Sequence, residues 1–101
     1  NKVISFIIQH LDDSDYSVNE LADDMAVSRS QLHRKLVALT GFSTTNFIRM
    51  IRLEKAKDLL LSGDGNITEI AYKCGFSSQS YFTKSFTEYT GKSPSQLSGK
   101  L

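Results

Sequence analysis

The sequence repeats one helix-turn-helix pattern, and this internal repeat restricts the possible folds more than any other feature. At an offset of 49 residues the matched pairs are Glu20 with Glu69, Ala22 with Ala71, Met25 with Cys74 and Ser28 with Ser77. After one inserted residue the offset becomes 50, and the matched pairs are Leu32 with Phe82, Arg34 with Lys84, Leu36 with Phe86, Gly41 with Gly91 and Ser43 with Ser93. Because the caps, the turn and the terminating glycine recur together, we interpret the chain as two copies of one unit.

Helix caps mark where the helices begin and end. Ser17, Ser28 and Asn66 are each followed three residues later by Glu or Gln, the pattern of a capping box. In the second copy Ser77 is predicted to cap the corresponding helix, and Ser93-Pro94 reads as the cap and first residue of a short last helix. The predicted terminators are Gly41, Gly63 and Gly91.

Apolar residues recur at helical spacing along the chain. Residues 2–11 are predicted to form an amphipathic helix whose apolar face contains Val3, Ile4, Ile7, Ile8 and Leu11. In the two copies the residues predicted to point inward are Leu32, Leu36, Leu39, Phe82, Phe86 and Tyr89. No stretch of four or more residues alternates like a strand with β-branched enrichment. We therefore predict an all-α fold of seven helices.

A predicted helix over residues 44–62 joins the two copies. At roughly 1.5 Å per residue it spans about 28 Å, compared with about 34–36 Å for one turn of DNA. Such a connector can place two recognition helices in successive major grooves on one face of a duplex. A chain of 101 residues fits one domain, which we divide into a first helix-turn-helix (1–43), the connector helix (44–62) and a second helix-turn-helix (63–101).

Particular residues, beyond the general pattern, resemble a known family. In the first copy these are Leu21-Ala22, the run from Val27 to Leu36 and Gly41-Phe42-Ser43. In the connector they are Phe47-Ile48, Ile51-Arg52-Leu53, Ala56 and Leu59-Leu60; in the second copy they are Ile67, Ile70-Ala71, the run from Gly75 to Phe82, Lys84, Phe86, Gly91 and Ser93-Pro94. Over about residues 4–97 the chain resembles the DNA-binding domain of AraC/XylS-type bacterial transcription regulators, although Thr44 stands where that family often has proline.

The resemblance implies a seven-helix fold with two helix-turn-helix units, no cofactor in this domain, and promoter binding. The implied partners are double-stranded promoter DNA, RNA polymerase, and a sensor or dimerisation domain of the parent protein. Because the chain begins at Asn1 without a methionine, we expect it to be a fragment of a longer protein. We expect a cytoplasmic, nucleoid-associated domain without membrane contact, in a parent protein that is either soluble or membrane-anchored.

Polar and basic side chains on the predicted recognition helices are the candidate DNA contacts. In the first copy, Ser30, His33 and Arg34 are predicted to reach base edges, since arginine bound to guanine is the commonest specific contact. Arg29 and Lys35 are predicted to contact phosphates. In the second copy the positions that match the DNA-facing positions of the family are Gln79, Ser80, Thr83 and Lys84.

Five residues are assigned individually. Gln79 is suited to adenine, and Lys84 to guanine or phosphate. Tyr81 is divided between groove contact and packing. On the connector, Arg49 is predicted to reach the DNA backbone, whereas Arg52 is predicted to buttress the interior.

The net charge of +1 hides an uneven distribution. Residues 1–27 carry a net charge of −5, residues 28–52 carry +5 without any acidic residue, and residues 53–101 carry +1. The near-neutral total therefore does not argue against DNA. It predicts oriented binding, with the acidic first segment turned away from the phosphates.

Other classes of function are less well supported. The chain lacks a G-x-S-x-G motif, and His10 and His33 have no metal-binding context, so we predict neither a catalytic nor a metal site. The single cysteine excludes an internal disulfide and is interpreted as a core thiol. No apolar run approaches the roughly 18 residues of a membrane span. A helical protein–protein adaptor and a non-specific architectural DNA binder remain as alternatives.

Overall fold

The repeat folds as two helical units on one long central helix. The computed structural model describes residues 2–98, and all regular structure in this range is helical, which confirms the predicted all-α class. The helices are α1 (Lys2–Gln9), α2 (Val18–Asp24), α3 (Arg29–Thr40), α4 (Thr44–Ser62), α5 (Ile67–Lys73), α6 (Gln79–Thr90) and α7 (Pro94–Ser98). The molecule measures 44 × 23 × 23 Å. No helix within the described range is long and apolar enough to span a membrane.

Two apolar cores lie along the two halves of α4. The first core contains Ile7, Tyr16, Leu21, Ala22, Leu32, Leu36, Phe47, Ile48 and Ile51. The second core contains Leu53, Ala56, Leu60, Ile70, Ala71, Cys74, Phe76, Phe82 and Phe86. Because α4 contributes residues to both, each helix-turn-helix is built on its own half of this helix. Cys74 is fully buried, which confirms its predicted role as a core thiol.

Most predicted caps are present, but one is wrong by a residue. At Ser28 and Asn66 both bonds of the capping box form, and at Ser17 the Glu20 carboxylate accepts from the backbone N–H and the hydroxyl of Ser17. The cap of α6 is Ser78, whose hydroxyl oxygen accepts from the N–H of Tyr81 at 3.1 Å, and not the predicted Ser77.

The reason for this error lies in the two turns. Ala26 and Gly75, which correspond at the offset of 49, both adopt positive φ, at 59° and 84°. The N–H of the next residue then bonds the carbonyl five residues earlier in both copies, as Val27 N to Ala22 O and Phe76 N to Ala71 O. The inserted residue is therefore Ser77, after the turn, and α3 and α6 correspond at an offset of 50 throughout.

Three residues predicted to be buried are exposed, and two residues predicted to be helical, His10 and Leu11, are not helical. Leu39 is 75% exposed because no neighbouring described helix covers this face in the last turn of α3. Tyr89 is 41% exposed, and its hydroxyl donates a hydrogen bond to Glu54 at the surface. Ile8 is 40% exposed, since the apolar face of α1 is wider than its contact with the core. Helix α1 ends at Gln9, so Leu11 lies in the following loop.

Arg52 lies between the two cores and is 5% exposed. Its guanidinium donates to the carbonyl oxygens of Leu11, of Asp13 at 3.0 Å, of Tyr16 at 3.1 Å and of Cys74 at 3.0 Å. No carboxylate among the described residues forms an ion pair with it. Burial lowers the pKa of this guanidinium from its ordinary value. The predicted buttressing role is confirmed.

Candidate nucleic-acid interface

The same four positions of each recognition helix line a surface depression. On α3, Arg29, Ser30, His33 and Arg34 line a surface depression of about 710 Å³ together with Val18, Ser43, Thr44 and Thr45. On α6, Gln79, Ser80, Thr83 and Lys84 line a depression of about 500 Å³. The two sets correspond residue by residue at the offset of 50. Packing therefore brings together eight of the predicted contact residues, as two equivalent surfaces.

Core packing on the opposite face of each helix fixes which side chains are exposed. On α3, Leu32 and Leu36 are 2% and 4% exposed, and on α6 both Phe82 and Phe86 are fully buried. Since these pairs are four residues apart, they hold one stripe of each helix against its core. The polar residues away from that stripe are left exposed or partly exposed to solvent.

Several cations on these surfaces have no carboxylate partner. Among the described residues, Arg29, Arg34, Lys35 and Lys84 form no ion pair. Their charges are therefore available to an anionic ligand. Lys35 is exposed but does not line the depression, and the corresponding residue on α6, Ser85, is buried.

Arg49 and Tyr81 occupy the surface between the two recognition helices. Thr45 lines the depression of α3 and also a neighbouring one of about 180 Å³, which Arg49, Gly75 and Tyr81 line as well. The Arg49 guanidinium donates to the Tyr81 hydroxyl at 3.3 Å and to the side-chain oxygen of Asn46. The hydrogen bond from Arg49 lowers the pKa of Tyr81. This pair therefore adjoins the surface of α3 through Thr45, and Tyr81 itself belongs to α6.

Tyr81, which the sequence left divided between groove contact and packing, packs against the second core and is also partly exposed. Its ring packs against Phe76 with centroids 5.7 Å apart, yet the residue remains 45% exposed. One side of the ring therefore packs against the second core, while the hydroxyl faces Arg49 at the surface.

The sequence did not indicate that α5 positions Gln79. The Thr68 hydroxyl donates a hydrogen bond to the Gln79 side-chain oxygen. Both residues lie at the beginnings of their helices, and their contact follows from the turn between α5 and α6. The only signal in the sequence is the position of each residue one or two places after a cap.

The acidic segment lies apart from the two depressions. Its members are Asp12, Asp13, Asp15, Glu20, Asp23 and Asp24. None of them lines the depression of α3 or that of α6. Asp24 is held by the Tyr16 hydroxyl at 2.7 Å and lies 3.6 Å from His10 Nε2. Within residues 2–98 no cluster of three or more histidine, cysteine or acidic side chains is arranged to hold a metal ion.

Comparisons with known proteins place this geometry among DNA-binding domains. A family described as a helix-turn-helix domain matches residues 21–100. The HTH-type transcriptional activator RhaS of Escherichia fergusonii is 33% identical over 97 residues, which cover 96% of this chain and 34% of that protein. The chain spans between 7% and 34% of the length of the first curated relatives that it matches.

Two solved structures show the same architecture. The DNA-binding domain of AdpA, solved in complex with a target DNA, has a TM-score of 0.85 and 28% identity, over 96% of this chain and 86% of that one. A transcriptional regulator of Chromobacterium violaceum, described among AraC-type DNA-binding domain-containing proteins, has a TM-score of 0.88, covering 97% of this chain and 87% of its own. At 24% identity the second likeness shows the fold alone.

Proposed function

Because the chain belongs to the AraC/XylS-type family of helix-turn-helix DNA-binding domains, we propose that it binds duplex DNA sequence-specifically and so regulates transcription. Helices α3 and α6 enter successive major grooves on one face of the DNA. The observation that carries this proposal is the pair of equivalent surfaces, in which the same four positions line a depression on each of two helices. Free cations on both surfaces supply the attraction for phosphates.

The dimensions of the domain support contact with two grooves by a single chain. Helix α4 has 19 residues, or about 28 Å at the usual rise, and the whole molecule is 44 Å long. Successive major grooves on one face are about 34–36 Å apart. A helix on each half of α4 therefore lies within reach of its own groove.

In the first helix-turn-helix, we assign base contacts to Ser30, His33 and Arg34 and phosphate contacts to Arg29 and Lys35. The position of Lys35 outside the depression supports a contact with the DNA backbone at the edge of the groove. Arg34 carries the planar fork that pairs with guanine O6 and N7.

In the second helix-turn-helix, Gln79 is assigned to adenine and Lys84 to guanine or phosphate, with Ser80 and Thr83 in supporting contacts. Tyr81 borders the groove, and Arg49 on α4 reaches the DNA backbone between the two grooves. The surface of α6 carries one cation, Lys84, where α3 carries Arg29 and Arg34. We therefore expect α6 to contribute less of the affinity.

We also propose that this domain acts as part of a longer regulator, with a sensor or dimerisation domain and RNA polymerase as partners. The support is that the relatives are longer proteins, one of them named a transcriptional activator. On this proposal the domain acts at the nucleoid in the cytoplasm, whether the parent protein is soluble or membrane-anchored. It is a binding module without a catalytic role.

The proposal is tested by selecting duplexes from a random pool and measuring affinity at two salt concentrations against unrelated competitor DNA. We expect a preferred site about two turns long, with an affinity that falls as salt rises. An architectural binder would lose affinity equally on all sequences, and an adaptor would not bind DNA at either salt concentration. Either result would overturn the proposal.

A matched pair of variants tests the assigned roles. Arg29→Ala is expected to weaken binding to all sequences alike and to reduce the salt dependence, because it removes one phosphate contact. Arg34→Ala is expected to change the preference at one base pair instead. If both variants weaken every sequence equally, Arg34 is a phosphate contact and its assignment is wrong.

A further inference from the structure

The hydrogen bonds of Arg52 join segments that belong to different helix-turn-helix units. Leu11, Asp13 and Tyr16 form the loop that leads into α2, and Cys74 begins the turn that leads into α6. The side chain comes from the middle of α4, between the last residue of the first core, Ile51, and the first residue of the second, Leu53. One planar group therefore fixes both units to the connector at the same point.

Gly75 leaves the space that this arrangement requires. A Cβ atom on Gly75 would lie 1.4 Å from Arg52 Nη1 and 2.5 Å from the carbonyl oxygen of Leu11. The corresponding residue in the first turn is Ala26, which keeps a positive φ of 59° although it carries a Cβ. The glycine of the second turn is thus explained by the approach of the guanidinium as well as by its backbone conformation.

Stability alone does not account well for a charge in this position. A buried cation loses its hydration, and an apolar side chain of similar volume is often equally stabilising or more so. The guanidinium supplies directional hydrogen bonds. Its donors lie in one plane, so carbonyls from two separate segments are held at fixed angles around it. Leu11 also packs against the second core, which brings the first loop to the same junction.

We propose that Arg52 is a positioning residue that sets the spacing and angle of α3 relative to α6, so that the two helices read DNA in one fixed register. This inference rests on the proposed two-groove binding. Loss of Arg52 leaves each unit with its own core and its own surface, joined by α4 and by the apolar contact of Leu11 with the second core. Each unit then still binds its half of the site, while the requirement for a fixed distance between the halves is relaxed.

The test uses a duplex selected by the wild-type domain, with variants in which one or two base pairs are inserted between its halves. Two base pairs rotate one half by about 70° relative to the other. For the wild type we expect affinity to fall about tenfold or more on insertion. For Arg52→Met we expect a loss of less than about threefold on insertion, weaker binding to the selected site, and unchanged affinity for each half alone.

Lys57→Met is the matched control, since it removes one positive charge from the same helix outside the proposed interface. It is expected to keep the spacing dependence of the wild type. All affinities are measured well below the unfolding temperature, so that a loss of stability does not enter the comparison. A purely stabilising role for Arg52 predicts that Arg52→Met retains the full spacing dependence, and that result would overturn the inference.

Two additions keep the inference testable if Arg52→Met does not fold. Arg52→Lys keeps the charge and most of the stem but cannot hold all four carbonyls, and it is expected to relax the spacing dependence in the same direction. Residual dipolar couplings of the free wild-type domain give a second readout, in which the two units should share one alignment tensor. Independent alignment of the units contradicts the inference. Failure of the wild type to select any DNA contradicts instead the proposed function.

Discussion

Replacing Gly75 by alanine tests whether the junction around Arg52 controls the stability of the domain. Gly75 has a φ of +84°, and an added Cβ would lie 1.4 Å from Arg52 Nη1. Gly91 provides the matched control, because its φ is +81° and an added Cβ would have no atom within 4 Å. The two substitutions therefore share the backbone strain and differ in the contact with the guanidinium.

The expected magnitudes follow from this difference. Placing alanine in a left-handed conformation costs about 1–2 kcal/mol, which is the whole cost expected for Gly91→Ala. Gly75→Ala must also displace a buried guanidinium from carbonyls on two segments, and breaking the interactions of a buried charge costs about 3–5 kcal/mol. We therefore expect the free energy of unfolding to fall by roughly 3–5 kcal/mol more than in the control, out of about 5–15 kcal/mol for a domain of this size.

The assay is urea denaturation of both variants and the wild type at neutral pH, followed by circular dichroism. The difference in unfolding free energy between Gly75→Ala and Gly91→Ala isolates the contact with Arg52. If the two variants lose the same stability within about 0.5 kcal/mol, the guanidinium is free to move aside. The account of this junction as a rigid connection is then wrong.

Four further outcomes are expected. Arg34→Ala should relax the preference at one base pair by about 1–3 kcal/mol, measured by binding to singly substituted sites. In thermal denaturation, Ser78→Ala should cost about 1 kcal/mol and Ser77→Ala less than about 0.5, because Ser78 is the cap. Thr44→Val should stabilise the domain by about 1 kcal/mol, since the Thr44 hydroxyl is buried without a hydrogen-bond partner. Partial burial, with a hydrogen bond to a carboxylate, raises the pKa of Tyr89 to about 12. The folded domain therefore holds this proton more tightly than the unfolded chain, so the unfolding free energy should be constant below about pH 10 and decrease toward pH 12. In urea denaturation this decrease should be smaller for Tyr89→Phe.

Local signals account for the part of the fold that was predicted correctly. The caps at Ser28 and Asn66 and the terminating glycines each act within about four residues, so their patterns can be read directly from the chain. The cap at Ser78 was missed because two serines are adjacent, and the sequence does not show on which side of the turn the extra residue lies. Only the hydrogen bond from the N–H of Tyr81 distinguishes them.

Most of the structural features that could not be predicted from the sequence are contacts between distant segments. The buttressing role of Arg52 was predicted, but its acceptors on Leu11 and Cys74 lie 41 and 22 residues away and carry no side-chain signal, because they are backbone carbonyls. The exposure of Leu39 was also missed, since helical spacing shows which face a residue occupies and not where its neighbouring helix ends.

The sequence predicted the residues that line the α6 depression and four of those that line the α3 depression, because outward positions follow from the inward ones on a helix. Eight of the predicted contact residues line the two equivalent depressions. The bond between Arg49 and Tyr81 joins α4 to α6 across 32 residues and was visible only in the folded chain. The same is true of Thr68, which reaches Gln79 from the preceding helix.

The central claim is that one chain reads two successive major grooves, and hydroxyl-radical footprinting on the selected duplex at a measured stoichiometry tests it most directly. We predict one protein per duplex and protection on a single face of the DNA, in two patches about 10–10.5 base pairs apart. Arg34→Ala should weaken one patch, and Lys84→Ala the other. A single protected patch per protein, or two patches that require two protein molecules, would contradict the account.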